Sequence, residues 1–95
     1  MSSYAVALIN IDDRAEYAKY EAGFMEILNK YQEKVLAVDE KPTILEGAWD
    51  HTRTVILEFV DTTALQAWYQ SSEYQNLMQY RRNASSGDVA IIQGL

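Results

Sequence analysis

Side chains able to do acid–base or anion chemistry in an apolar setting fall in two places in this 95-residue chain. The first is EGAWDHTRTVILEF (Glu46–Phe59), where Trp49, His51 and Arg53 precede an apolar run that Glu58 interrupts. A carboxylate set between Leu57 and Phe59 must be paired or have its pKa raised, because burying its charge alone is costly. A raised pKa suits general acid–base work. His51 is the single histidine, and an imidazole titrates close enough to neutrality to shuttle a proton. Glu58 and His51 are therefore the candidate catalytic groups. Each also has a plainer reading: Glu58 as a strand-end or interface ion pair, and His51 as a solvated residue of an Asp-His-Thr turn.

The second place is the helix pattern ending in YRR. Tyr74, Leu77, Met78 and Arg81 recur at i, i+3, i+4 and i+7, so Arg81 lies on the apolar stripe while Arg82 turns away. A guanidinium on a buried face stays charged and needs an anion. Either Glu58 supplies it, or Arg81 keeps donors free for a ligand carboxylate or phenolate. Arg81 and Arg53 are the candidate anchors of negative charge. Tyr17, Tyr20, Trp49 and Trp68 are the candidate ligand-binding walls, since aromatic rings with polar tips suit a partly wet pocket. No metal site is expected. Glu46, Asp50 and His51 match no strong ligand spacing, and the chain has no cysteine. With no G-x-G-x-x-G, Walker or G-x-S-x-G pattern, no cofactor is expected either.

Composition narrows the partners. A formal charge of −6 opposes both nucleic acid and acidic membrane surfaces, so neither is expected. RNA binding on an open sheet would need basic charge that is absent. The apolar run Ala5–Ile11 has no basic residues before it and is too short for a signal peptide or a span. A cytoplasmic protein is the expectation, and the Asn83-Ala84-Ser85 sequon reads as chance.

The elements that must position these groups follow from period and punctuation. SYAVALINI (Ser3–Ile11) predicts a strand. Asp13 with Glu16 three residues on has the spacing of a capping box, opening a helix whose stripe carries Tyr17, Tyr20, Phe24, Ile27, Leu28 and Tyr31. EKVLAVDEKPTILEGAW predicts a strand broken at Asp39–Pro42 and continuing to about Gly47, with an edge position or bulge at the proline. Thr54–Val60 predicts a third strand. Asp61 begins a short helix with Leu65 and Trp68, and Ser72-Glu73-Tyr74-Gln75 offers a second capping box for a helix to about Asn83. NASSGD reads as a turn before a closing strand, VAIIQG. The order β-α-β-β-α-β predicts an α+β, ferredoxin-like single domain over residues 1–95, with a four-stranded antiparallel sheet and helices on one face.

Alternation makes both faces of that sheet apolar. Val6 and Leu8 oppose Ala7, Ile9 and Ile11; Val55, Leu57 and Phe59 oppose Ile56 and Val60; Val89 and Ile91 oppose Ala90 and Ile92. Right-handed crossovers place both helical elements on one side. The other side needs a cover, and a second copy packed sheet to sheet is the simplest, so a homodimer is expected.

Several segments, EYAKY (Glu16–Tyr20), LEGAW (Leu45–Trp49), RTVILEF (Arg53–Phe59), AWYQSSEYQ (Ala67–Gln75) and YRR (Tyr80–Arg82), resemble in order and spacing the domain-of-unknown-function family 1330, DUF1330. The resemblance runs from about Tyr4 to Gly94. It implies membership of the dimeric α/β-barrel superfamily, in which two ferredoxin-like protomers pair their sheets. It also implies pockets between helices and sheet, of the kind used by cofactor-independent monooxygenases and small-molecule isomerases, though the family itself has no established reaction. Glu46, Gly47 and Trp49 fit its strand-end motif, Arg53, Glu58 and Phe59 its third strand, Trp68, Ser72, Glu73 and Tyr74 its helix break, and Arg81 its helix-end arginine. The family commonly has proline where Asp50 and His51 stand, so His51 is not carried over. Two functions stay open: a dimer binding a small aromatic or acidic compound, as a cofactor-free enzyme or a simple binder, and a non-catalytic interaction dimer whose Arg and Glu residues pair internally.

Overall fold

The computed structural model describes residues 1–31 and 33–95. The elements are β1 (Ser3–Ile11), α1 (Arg14–Leu28) with a 3₁₀ turn (Asn29–Tyr31), β2 (Lys34–Asp39), β3 (Arg53–Phe59), α2 (Thr62–Gln70), α3 (Ser72–Ala84) and β4 (Ser85–Gln93). The sheet is antiparallel in the order β2-β3-β1-β4. The expected ferredoxin-like α+β architecture is what forms.

Three local devices start the helices. Asp13 accepts from the Glu16 amide at 3.1 Å and Asp61 from the Ala64 amide at 2.8 Å, each satisfying a donor that the first turn leaves orphaned. For α3 the cap is Ser71, which accepts from the Tyr74 amide, so the expected cap at Ser72 sits one residue late. Ser71 is extended at ψ 145°, and that single non-helical residue splits α2 from α3.

Two further expectations are corrected. The second strand does not continue to Gly47. Asp39 Oδ1 accepts from the Lys41 amide at 2.8 Å, turning the chain out of the sheet just before Pro42, and Gly47 sits at φ +79° in the irregular loop that follows. The bulge lies earlier than the proline, between Val35 and Ala37, on what is indeed an edge strand. NASSGD is not a turn either. The Ala84 carbonyl accepts from the Asp12 and Asp13 amides at 2.7 and 3.0 Å, so α3 is tied to the end of β1 and Ser85 enters β4 directly. Gly87 is required there, because a Cβ would stand 2.2 Å from the Leu8 carbonyl oxygen.

The core lies between the helices and the inner face of the sheet. Ala5, Ile9, Leu57 and Phe59 from the central strands pack against Tyr17, Tyr20, Leu28, Leu65, Trp68, Tyr74 and Met78. The residues alternating with them point away from all three helices. In register across that outer face lie Tyr4, Glu58, Lys34 and Ile92, then Val6, Ile56 and Ala90, then Leu8, Thr54 and Asp88. None of the three helices lies over them; Lys34, Asp88, Ala90 and Ile92 are exposed and the others partly so. The helices also stop short of the sheet margins, leaving Val35, Val38, Val89 and Ile91 partly exposed.

Glu33, ahead of β2, has both carboxyl oxygens buried without a partner among the described residues, and burial raises its pKa from 4.5 to about 7. Because the folded state holds this proton more tightly than the unfolded chain, the contribution is favourable below 4.5 and is lost as pH rises through 7. Thermal unfolding across pH 4.5–8 should therefore show stability falling toward neutrality, and Glu33→Gln should flatten that fall and melt higher than wild type at pH 8. An identical pH profile in the variant would count against the assignment.

Candidate functional site

α1 and α3 straddle the inner sheet face without filling it, and a cavity of ≈ 210 Å³ remains beneath α1. Its floor is Ala5, Ala7, Ile9, Val55 and Leu57, small or branched residues on successive inward positions of β1 and β3. Its walls are aromatic. Tyr17, Tyr20 and Phe24 descend from α1, with neighbouring ring centres 5.5 Å apart in each step, because i, i+3 and i+7 fall on one stripe. Trp68 comes from α2 and Tyr74 from α3, their ring centres 4.2 Å apart.

Two guanidiniums reach this apolar space, and their surroundings differ. Arg53, the first residue of β3, stacks 5.6 Å from the centre of the Tyr17 ring and is paired with Glu21 at 3.2 Å and Glu40 at 3.5 Å. Arg81 lies with its guanidinium 5.8 Å from the centre of the Tyr20 ring and has no carboxylate within 4 Å among the described residues. Burial works against its charge, but the hydroxyls of Tyr74 and Tyr20 outweigh that, so its pKa is held above the usual guanidinium value. Arg81 is a fixed positive charge at every physiological pH.

The phenols around it are neutral donors. Tyr20 and Tyr74 share a 2.7 Å hydrogen bond between hydroxyls. Burial raises the pKa of Tyr17 and Tyr74 and pushes that of Tyr20 well above 10, with Arg81 pulling each of them the other way. The Trp68 indole N–H is also buried without a partner among the described residues. An anion placed against Arg81 would find phenolic hydroxyls beside it and an aromatic sandwich behind it.

Of the residues singled out from sequence, Arg81, Arg53, Tyr17, Tyr20 and Trp68 converge on this cavity. Trp49 does not. It sits half-exposed on the loop after β2, its ring 5.8 Å from His51 in an edge-to-face pair, and neither lines the cavity. Glu58 also lies elsewhere: Leu57 and Phe59 on either side of it point into the core, so alternation sends Glu58 to the outer face. There it accepts a 3.3 Å hydrogen bond from the Tyr4 hydroxyl, across the sheet from Arg81. The Arg81–Glu58 pair considered from sequence does not form, and Glu58 and His51 do not meet the ligand-binding set. Tyr74, Phe24 and Glu21 are cavity residues absent from that set. Tyr74 was legible, since it shares the stripe of Arg81 two turns earlier. Among the described residues, no cluster of His, Asp and Glu could hold a metal ion, and no helix is long and apolar enough to cross a membrane.

A ferredoxin-like α+β domain with an aromatic, arginine-bearing cavity between helices and sheet is the class of protein that fold and geometry define. The family model described as "Domain of unknown function (DUF1330)" matches residues 2–95, and the chain belongs to that family. No curated protein matches the sequence. Among solved structures, a protein of unknown function from Rhodopseudomonas palustris is similar at TM-score 0.81 and 16% identity, over 99% of this chain and 82% of that one. A dimeric ferredoxin-like protein of unknown function from Jannaschia sp. CCS1 matches at TM-score 0.72 and 10% identity, over 99% and 100%. SnoaB, a cofactor-independent oxygenase from Streptomyces nogalater, matches at TM-score 0.66 and 12% identity, over 99% and 93%.

The Tyr20–Tyr74 contact gives a test of how the walls are held. Tyr20→Phe or Tyr74→Phe alone strands a buried hydroxyl and should cost about 1–3 kcal/mol, whereas the double variant should lose clearly less than the sum. Urea unfolding of the four proteins measures the coupling, and strict additivity would mean the hydroxyls are not partners.

Proposed function

We propose that this protein binds a small aromatic anion, a carboxylate or phenolate, in the cavity beneath α1, and does so as a homodimer joined through the outer faces of its sheets. The observation that carries the ligand assignment is Arg81: a half-buried guanidinium, facing an apolar cavity, without a carboxylate partner among the described residues. The phenols of Tyr74 and Tyr20 stabilise that charge without neutralising it, so it keeps its attraction for an anion. Arg53 answers its own need with Glu21 and Glu40, so the interaction-dimer reading, in which internal pairs use up the arginines, accounts for Arg53 but not for Arg81.

The arrangement suits recognition and stabilisation of an anion more than proton abstraction. Glu21 is engaged by Arg53, the phenols are protonated, and Glu58 and His51 lie outside the cavity. What the site offers a ligand that arrives as an anion is a fixed positive charge with phenolic donors beside it, which stabilise the negative charge at contact distance. Stabilising such an anion is a chemistry a cofactor-independent oxygenase of the SnoaB kind could use, and it ties this reading to that structural relative.

The homodimer rests on a different observation. Val6, Leu8, Ile56, Ala90 and Ile92 form an apolar field on the outer face, with Ala90 and Ile92 exposed and the other three partly exposed, and each branched side chain is worth roughly 1.5–3 kcal/mol when fully buried. The dimeric Jannaschia protein of similar fold supports a second copy as the cover.

For the ligand, 3-hydroxy-2-naphthoate is a suitable probe, because its absorption overlaps tryptophan emission and Trp68 walls the cavity. Wild type should bind it about tenfold or more tighter than 3-hydroxy-2-naphthamide, and Arg81→Gln should erase that preference, as loss of a hydrogen bond to a charged group predicts. Equal binding of acid and amide by wild type, with neither weakened by Arg81→Gln, would defeat the assignment. For the assembly, sedimentation at micromolar concentration should find a particle of twice the 10.9 kDa chain mass, and Ile56→Lys should convert it to monomer. A wild-type monomer would remove the dimer.

A further inference from the structure

Resting on the proposed anion site, the geometry points to one mouth of the cavity as the route by which the anion arrives, with Arg82 as the residue that captures it. The cavity beneath α1 reaches the surface at two ends of the sheet. At the β2 end it is bordered by Glu21, Met25, Val35 and Val38, all exposed. At the β4 end, Arg81 and Val89 form a wall shared with a second recess of ≈ 410 Å³, which is lined also by Tyr69, Arg82, Ser85 and Ser86. Arg81 thus faces the inner cavity on one side and this outer recess on the other.

The two ends differ in charge. The chain has eight basic residues. Arg14, Lys19, Lys30 and Arg53 are each paired with a carboxylate. Among the described residues that leaves Lys34, Lys41, Arg81 and Arg82 without one within 4 Å, and of these only the two arginines line either opening. The β2 end carries Glu21, with Glu40 close by on Arg53, so its cation is already answered. A protein of net charge −6 repels anions at long range and needs a local positive field to admit one. The adjacent guanidiniums of Arg81 and Arg82 are that field, and α3 builds it by ending in two arginines where one faces inward and the next outward. An incoming carboxylate meets Arg82 in solvent, passes to Arg81, and carries its ring into the aromatic cavity. Arg82 therefore sets the arrival rate for anions and discriminates against neutral aromatics, while Arg81 sets how long they stay.

Stopped-flow quenching with 3-hydroxy-2-naphthoate separates these roles. At low salt, Arg82→Glu should reduce the association rate constant by about 3–10-fold and leave dissociation unchanged, with the difference shrinking as salt is added. Lys19→Glu makes the same change in net charge on the exposed side of α1 and should have a much smaller effect. Both Arg82 and Lys19 are exposed, so both substitutions should leave the fold intact. An equal slowing by Lys19→Glu, an unchanged association rate in Arg82→Glu, or an effect confined to dissociation would each overturn the assignment of the entrance. If the probe binds and its binding depends on Arg81, those outcomes sink the entrance alone. If acid and amide bind wild type equally and Arg81→Gln weakens neither, the anion site and its entrance fall together.

Discussion

Both crossovers of this chain turn the same way, and nearly every other feature follows from that handedness. Three helices lie on one side of a four-stranded sheet, because a right-twisted strand feeding a helix packs back only to one face. Three helices suffice to cover the central strands but not the margins, so Ile9, Leu57 and Phe59 are sealed while Val35, Val38, Val89 and Ile91 stay partly wet. The incomplete roof is also what leaves the cavity. Aromatic residues on α1 stand tall enough to hold the helix off small floor residues such as Ala5 and Ala7, and the space between is left unfilled, opening to solvent only at the margins of the sheet.

Within that space the sequence has placed charge against apolar surroundings and given it phenolic partners. A phenol beside a guanidinium stabilises the cation without neutralising it, unlike a carboxylate, which would satisfy it outright. Tyr20 and Tyr74, bonded to each other at 2.7 Å, sit beside Arg81 and keep its charge available. Arg53 is the contrasting case on the same cavity: its partners Glu21 and Glu40 reduce it to a strut between α1, β3 and the loop after β2, joined there by Arg14 on Glu40 at 2.6 Å. Two arginines lining one cavity thus have opposite electrostatic fates, decided by which elements bring acids within reach.

How much of this was legible in the sequence divides along physical lines. The order of elements and the helix faces were, because they rest on alternation and on capping spacings that act over a few residues. Arg81 was placed inward by the same stripe that carries Tyr74 and Met78. What alternation also implied for Glu58, between inward Leu57 and Phe59, is that it cannot share a face with the α3 stripe, so the pairing entertained for it was excluded by the very pattern that built the strand. The loop after β2 reads as strand because Thr43, Ile44 and Leu45 have strand-like side chains, yet Asp39 turns the chain away from its neighbour and a strand exists only where a neighbour accepts its hydrogen bonds. Trp49 and His51 went with that loop. Cavities are a long-range property: no local pattern says that Val38 and Val89, from opposite edges of the sheet, border the same space.

The proposed anion site in an acidic protein is not a contradiction once range is considered. Net charge acts across the whole surface and is screened over roughly 8–10 Å at ordinary ionic strength. A guanidinium facing a low-dielectric cavity acts at contact distance, where screening hardly reaches and the attraction for an opposite charge is several times stronger than in water. The four acid-paired basic residues, Arg14, Lys19, Lys30 and Arg53, contribute little field of their own. Distant acids make the surface inhospitable to anions in general, while in the proposed site Arg81, without a carboxylate partner among the described residues, would make a single place favourable. Selectivity then comes from shape and apolar contact as much as from charge, since an inorganic anion would gain Arg81 but forgo the Trp68 and Tyr20 walls. A ring-bearing acid gains both, which is why the chemistry of the cavity argues for an aromatic ligand and not for any small anion.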